Sequence, residues 1–360
     1  TDNQDQFALV RHGSFYATEG AIKASFNEGD WGLSGFVSHY KDRGDKYGAF
    51  YDFFGRKEAT QDPQRLSDVY LKGYFKDTEV ILRRNERSSS GFVVSGGQAN
   101  THQRQRVENR SARITQSFEL EDVRFLGFAE YSENDEDVLF ALFPEDPSPP
   151  IVGNPFYWSD GSTIEMMGGN FRSVEQQRFG LDGSFPFSPK HLLHFGALYR
   201  KESVGLNPFQ SNIDSEIGKQ NGGIVPTQPD DFIQSGFYFG GERLDLFTPY
   251  DRESVGVYFQ DTWAIHDQLV LTSGVRYDHY QDFSGNFSFR AGAVYSPNDG
   301  NSFKFLYGEA YRAPSFVETQ AGIATGGISN PDLDPEQVKT YELAWSQRSL
   351  ESTSTVTIFH

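Results

Sequence analysis

Apolar and polar side chains alternate with a period of two along much of this chain, which is the signature of β-strands carrying one apolar face. Between positions 269 and 280, Leu269, Leu271, Val275 and Tyr277 share one face while Thr272, Gly274, Arg276 and Asp278 share the other. Between 286 and 296, Phe287, Phe289, Ala291, Ala293 and Tyr295 oppose Ser288, Arg290 and Gly292. The stretch 302–311 sets Phe303, Phe305, Tyr307 and Tyr311 against Lys304, Gly308 and Ala310, with Glu309 as a lone acid on the aromatic face. Read this way, the sequence predicts strands near 7–11, 20–26, 31–40, 68–76, 79–86, 110–119, 123–131, 177–185 and 192–200. Six more follow near 253–265, 269–280, 286–296, 301–311, 338–348 and 352–360, about 15 in all.

The predicted connections fall into two classes. Short turns at 27–30, 76–78, 121–122, 266–268 and 297–300 alternate with long polar segments at roughly 41–67, 87–109, 132–175, 201–252 and 312–336. The connection 281–285 is short where a long one is due. Loops beyond about 12–15 residues are uncommon inside compact soluble domains. Outer-membrane barrels, by contrast, have short turns at one end and long loops at the other. In a barrel the apolar face meets lipid, whereas in a sandwich it would form a dry core, and the period alone does not separate the two.

Composition narrows the choice. The mean hydropathy of −0.57 would suit a soluble protein, but a membrane strand needs only about 9–11 residues and shows lipid only alternate ones. The longest apolar run, 138–143, is far short of the roughly 18 residues that a spanning helix requires. Aromatic residues make up 15% of the chain (33 Phe, 18 Tyr and 4 Trp), as expected if they line both membrane interfaces. There is no cysteine, which removes disulfide frameworks and thiolate metal sites. A net charge of −18 argues against a nucleic-acid surface, which must be basic. No nucleophile elbow, phosphate-cradling glycine loop or His-Glu metal helix is present, so no enzyme activity is expected.

One stretch is more specific. Tyr311, Arg312, Ala313, Pro314, Ser315 and Phe316 lead across a Gly-rich loop to Asn330, Pro331, Asp332, Leu333, Asp334, Pro335 and Glu336. An Arg-Ala-Pro box at a strand end, followed by Asn-Pro-x-Leu-x-Pro-Glu entering the next strand, resembles the TonB-dependent outer-membrane receptors. The segments 11–18, 31–40, 254–263 and 271–278 are similar to barrel strands of that family, while 87–252 carries no motif of its own. The resemblance implies an antiparallel transmembrane β-barrel, residues 1–360 being part of an expected 22-strand wall without its plug domain. It also implies uptake of a scarce nutrient, with a ferric siderophore as the default cargo and cobalamin or an oligosaccharide behind it. The implied partners are outer-membrane lipid and lipopolysaccharide, together with an inner-membrane energy-coupling complex that acts through the plug. The chain opens without a leader and stops inside a predicted strand, so both ends read as cuts. Unpaired strand edges are not tolerated in hydrocarbon, and residues 1–360 alone are therefore not expected to insert.

Site candidates follow from the same reading. Pro314, Pro331 and Pro335 end strands and stiffen the loop between them, and Arg312 can pair with Glu336 across the loop base. The two boxes, including Ala313, Asn330 and Leu333, are expected to set loop geometry or to lie close to ligand. Phe156, Tyr157 and Trp158 in one long loop, and Phe237, Tyr238 and Phe239 in another, are candidates for an aromatic lip. Haem receptors of the family often place a histidine between the boxes, but 313–329 holds none, and no cofactor is expected. His191 and His194 stand three apart and so on opposite faces of a strand, which argues against joint metal ligation. The acidic run Glu130, Glu133, Asp135, Glu136 and Asp137 is read as a solvated loop or a cation bridge to lipopolysaccharide, with hard-cation binding as the alternative. Asp42, Asp45 and Asp52 form a second such cluster, diluted by Lys41, Arg43 and Lys46. The rival readings are a passive porin or fatty-acid channel and a soluble carbohydrate-binding β protein.

Overall fold

The computed structural model describes residues 6–51, 57–90, 103–143, 166–205, 249–320, 329–349 and 351–360, with short pieces at 209–211, 213–214, 225–226, 237–239 and 242–244. The chain begins with β1 (Phe7–His12), β2 (Thr18–Glu28), β3 (Trp31–Lys41), β4 (Lys46–Tyr51), β5 (Lys57–Gln61), β6 (Gln64–Phe75) and β7 (Thr78–Ser90). It continues through β8 (Arg104–Leu120), β9 (Val123–Phe143), β10 (Met166–Ser188), β11 (His191–Val204) and the short β12 (Phe209–Ser211), β13 (Ile213–Asp214), β14 (Val225–Pro226), β15 (Phe237–Phe239) and β16 (Glu242–Leu244). The last part holds β17 (Tyr250–His266), β18 (Leu269–Tyr280), β19 (Asn286–Asn298), β20 (Asn301–Arg312), a one-turn helix α1 (Phe316–Gln320), β21 (Glu336–Arg348) and β22 (Thr353–Phe359).

One sheet dominates. Its path runs β1-β2-β3-β6-β7-β8-β9-β10-β11-β17-β18-β19-β20-β21-β22, all antiparallel, with β12 beside β10; β4–β5, β13–β14 and β15–β16 are separate small hairpins. The strands on this path correspond one for one to those the alternation predicts, and 281–285 is indeed a short connection. Between β2 and β3, and between β6 and β7, the turn has two residues, and its first residue takes a left-handed φ (57° at Gly29, 52° at Lys76).

Among the described residues the sheet has no second layer. Within the strands of the sheet the buried apolar side chains among the described residues are Ala21, Leu139, Val204 and Ala344, whereas Ile22 is 62% exposed and Leu343 55%. The rows of one face (Leu33, Leu71, Leu82, Ile114, Phe179, Val257, Phe289, Leu343) therefore touch only their neighbours within the sheet and are covered by no second layer among the described residues. Acyl chains are the medium that gains from covering such rows, and a sandwich core is excluded.

The height of these rows reveals a tilt. On this face the apolar stretch ends at Leu82 on β7, Tyr131 on β9, Tyr199 on β11, Tyr277 on β18 and Tyr341 on β21. The next outward residue of the same face is Arg84, Glu133, Lys201, His279 and Lys339 in turn. Leu82 and Tyr131 share a row through Ala112, yet Tyr199 lies one row nearer the short turns, Tyr277 one more and Tyr341 two more. A slide of about one residue per strand is the stagger that a tilted barrel wall requires. Glu309, the acid on the aromatic face, sits at this boundary. It accepts from the Tyr307 hydroxyl and from the Phe289 N–H at 3.0 Å, and lies 3.6 Å from Lys339.

Three strands run further outward than the alternation predicts. β8 starts at Arg104, β9 continues to Phe143 and β10 begins at Met166, so much of the expected loops 87–109 and 132–175 is extended ladder. The acidic run is likewise strand rather than loop. Beyond the lipid rows, Glu108 lies 2.7 Å from Arg84, 3.2 Å from Arg106 and 3.7 Å from Arg110. Arg110 in turn reaches Glu133 and Asp135, Arg106 reaches Glu86, and Arg104 lies 3.6 Å from Asp137. Arg84 and its neighbours hold the Glu108 carboxyl below its ordinary range. The pattern here alternates between charged and neutral residues instead of apolar and polar ones, which a search for hydrophobic period does not register.

Candidate functional site: the outer rim and the polar wall

Both sequence boxes lie at the end of the sheet opposite the short turns, and they fold into a clasp. Arg312, last in β20, stands directly across from Glu336, first in β21. Its guanidinium grips the Glu336 carboxylate with two bonds, Nε to Oε2 at 2.9 Å and Nη2 to Oε1 at 2.8 Å. It also donates to both oxygens of Glu318 on α1, at 3.1 and 3.0 Å. Ser315 and Glu318 form a reciprocal capping box. The Ser315 N–H donates to the Glu318 carboxylate at 2.7 Å, and the Glu318 N–H approaches Ser315 Oγ at 3.4 Å. With the Arg312 fork and the Ser315 donors converging on it, the Glu318 carboxyl is pulled down to about 2. The fork also lowers Glu336.

The Arg-Ala-Pro turn carries the chain inward. Pro314 is fully buried, and its carbonyl accepts from Arg252 Nη1 at 2.8 Å. The Arg252 side chain is only 5% exposed; it pairs with Asp282 at 2.7 Å and lies over the rings of Phe316 (4.7 Å) and Phe283 (5.0 Å). Tyr250 donates to Asp282 at 2.6 Å and meets Phe316 edge-on. One arginine thus ties β17, the 281–285 connection and the start of the long loop together. On the far side, the Asn330 N–H bonds Glu318 O at 2.9 Å, and Asn330 Oδ1 accepts from the Asp332 N–H at 3.1 Å. The Leu333 N–H closes back to Asn330 O at 3.2 Å, so Asn330, Pro331, Asp332 and Leu333 make a turn and Pro335 leads into β21. Sequence reading singled out neither Arg252, Asp282 nor Glu318. The capping-box spacing from Ser315 to Glu318 was a readable signal for the last; the first two are joined only by the fold.

Below the rim, the polar face of the sheet forms a wall of charged rows. Glu130 sits between Arg178 at 2.7 Å and Arg113 at 3.3 Å, and Arg113 lies over the Phe128 ring. Tyr258 donates to Asp182 at 2.6 Å, and Arg276 forks onto Asp278 with two bonds of 2.6 Å. Glycines opposite leave room for these groups: a Cβ on Gly196 would strike Tyr258 and Asp182, and one on Gly256 would strike Arg276 and Asp278. Arg290, opposite Gly274, has no ion-pair partner among the described residues. With His194, Tyr258, Gln260, Arg276 and Ser288 it lines a groove of about 520 Å³. Arg276 in this groove pairs with Asp278, and Glu309, also in the lining, lies 3.6 Å from Lys339, which leaves Arg290 as its unpaired guanidinium among the described residues.

The other candidates disperse. His191 bonds Asp261 at 2.8 Å and stacks on Trp263 at the short-turn end of the apolar face, while His194 faces the groove on the other side. Asp42 is engaged as a turn organiser, accepting from the Gly44 N–H at 2.7 Å, the Gln64 N–H at 3.1 Å and the Tyr40 hydroxyl at 2.6 Å. Asp52 lies outside the described residues, as do Phe156, Tyr157 and Trp158. Phe237, Tyr238 and Phe239 form a short strand against Glu242–Leu244. Among the described residues no group of three or more His, Asp or Glu is arranged to hold a metal.

Residues 30–360 match the family model described as TonB dependent receptor-like, beta-barrel. A 92-residue segment is 33% identical to the iron-regulated outer membrane virulence protein of Vibrio cholerae, covering 24% of this chain and 14% of that protein. A match of 102 residues is 24% identical to the vitamin B12 transporter BtuB of Vibrio vulnificus, covering 28% of this chain and 15% of that protein. A mutant of the ferric enterobactin receptor PfeA from Pseudomonas aeruginosa superimposes with a TM-score of 0.65 at 12% identity, over 98% of this chain and 51% of that one. The chain thus spans about half the length of that receptor, and its matches to the two curated relatives cover smaller shares still. On the family match, the single tilted sheet and its uncovered apolar face, the chain belongs to the TonB-dependent receptor β-barrels of the Gram-negative outer membrane.

Proposed function

We propose that this chain is the wall of an active-transport receptor that takes up a ferric siderophore, driven by an energy-coupling complex of the inner membrane through a plug domain. The observation that carries this reading is the groove at mid-height on the polar face, where Arg290 has no ion-pair partner among the described residues and stands beside the paired Arg276, while Glu309 in the same lining is engaged by Lys339. An anionic iron chelate gains from a positive local field there, whatever the net charge of the whole. The PfeA likeness supports a chelate cargo, since that receptor is named for ferric enterobactin. Outer-membrane lipid would cover the apolar rows, and lipopolysaccharide would face the charged belt around Glu108. In this reading the rim clasp fixes the base of a loop that helps admit cargo, and the aromatic loops around Trp158 and Tyr238 form its lip.

The test is uptake of radiolabelled iron as ferric siderophore by iron-starved cells carrying the full receptor. Arg290→Gln combined with Arg276→Gln should cut uptake about tenfold at equal surface amounts, as loss of a charged contact would. Uptake unchanged by both substitutions rejects the groove as the cargo site. Uptake that persists when the proton gradient is collapsed rejects energy coupling and favours a passive porin.

A further inference from the structure

A second part of the polar wall has different chemistry. Above the arginine-rich groove, on β7, β8 and β9, Asn85 stands opposite Asn109, and Asn109 opposite Asn134. One row closer to the short turns, Ser111 faces Ser132 and Ser132 faces Gln176. Together these residues line a separate groove of about 520 Å³, within the usual range of small-ligand pockets of roughly 300–1,000 Å³.

The charges around this groove are neutralised. Arg83 lies 3.7 Å from Asp68, and Glu130 is held between Arg113 and Arg178. Gln176 donates to Glu202 at 2.7 Å, but the asparagine amides and serine hydroxyls keep free capacity. Asn134 donates to Asn109, which leaves donors and acceptors on both, while the Asn85, Ser111 and Ser132 side chains bond no other described residue. Each amide offers two donors and an acceptor, and each hydroxyl both roles. Neighbouring strands hold them about 4.8 Å apart. Val174 is the only aliphatic side chain in the lining, so an apolar ligand finds little there, and no unpaired cation is present to attract an anion. Groups that donate and accept at once are matched by ligand hydroxyls.

We propose that this asparagine–serine row is a subsite for the polyhydroxylated, uncharged portion of the cargo, a carbohydrate-like group. The inference rests on the transport reading above and divides the wall into a neutral outer subsite and a cationic inner one. It is tested on the full-length receptor purified in detergent, titrated with maltotriose by calorimetry. Saturable binding in the millimolar range is expected, weakened about tenfold by Asn85→Leu with Asn109→Leu and unchanged by Arg290→Gln. Should the double variant not fold, Asn109→Asp keeps the shape and removes the amide donors, and the same loss is expected. No saturable binding by the wild type, or equal binding by the asparagine variants, overturns the inference. Iron uptake that continues with no maltotriose binding sinks this subsite and spares the transport reading; maltotriose binding without iron uptake does the reverse.

Discussion

Arg312 shows what a single side chain can do here, because its fork holds carboxylates from a strand and from a helix at once. A compact ammonium cannot span both. The consequence is a pH window. Glu318 has its folded value lowered to about 2 from an ordinary 4.5, so its contribution is complete above the ordinary value and is lost as pH falls through about 2. A spin label at Val317→Cys, in a chain with no native cysteine, should stay immobile down to pH 3 and loosen near 2. In Arg312→Lys the same loosening should come at higher pH; identical profiles would show that the fork does not hold the loop. Arg252 is the buried counterpart. Replacing it by Met leaves the Pro314 carbonyl without its donor and Asp282 with only the Tyr250 hydroxyl, and should cost about 3 kcal/mol, read as faster amide exchange over 313–320.

At the level of elements, β8, β9 and β10 outgrow the membrane because ion pairs to their neighbours take over from lipid as the reason to stay extended. Glu108 is the hub, with three guanidiniums around it. Exposed pairs contribute little each, about 0–1 kcal/mol, and a network somewhat more. Glu108→Ala should therefore raise amide exchange over 104–110 and 131–137 modestly, by about 1 kcal/mol, with the strand cores unchanged. High salt should mimic part of the effect in the parent and add little to the variant. The ladder below the belt was legible from alternation, whereas the belt was not. Arg104, Arg106 and Glu108 read as a loop until their cross-strand partners are known.

The whole molecule is defined by which medium touches each face. Val257 and Gln260 lie three residues apart on β17, one on the apolar rows and one lining the groove. Val257→Arg should destabilise the inserted receptor by about 2–4 kcal/mol, measured by folding into vesicles. Gln260→Arg should leave folding unchanged, and equal penalties would contradict the assignment of faces. The open edges give a further expectation. Among the described residues β1 and β22 each pair on one side only, so residues 1–360 expressed alone should fail to form a heat-resistant species in detergent. A stable species would refute it.

The sequence alone determined where the strands lie below the charged belt, their short-turn hairpins and the two faces, since alternation and short turns are local properties that each hairpin expresses by itself. It also marked the Arg-Ala-Pro and Asn-Pro boxes, whose prolines dictate backbone shape wherever they stand. The tertiary structure decided which polar groups meet. Arg252 finds Pro314 sixty-two positions away, Glu130 finds Arg178 forty-eight away, and three asparagines line up only when β7, β8 and β9 are in register. Such partnerships depend on the register of distant strands, and register is fixed by the sheet as a whole.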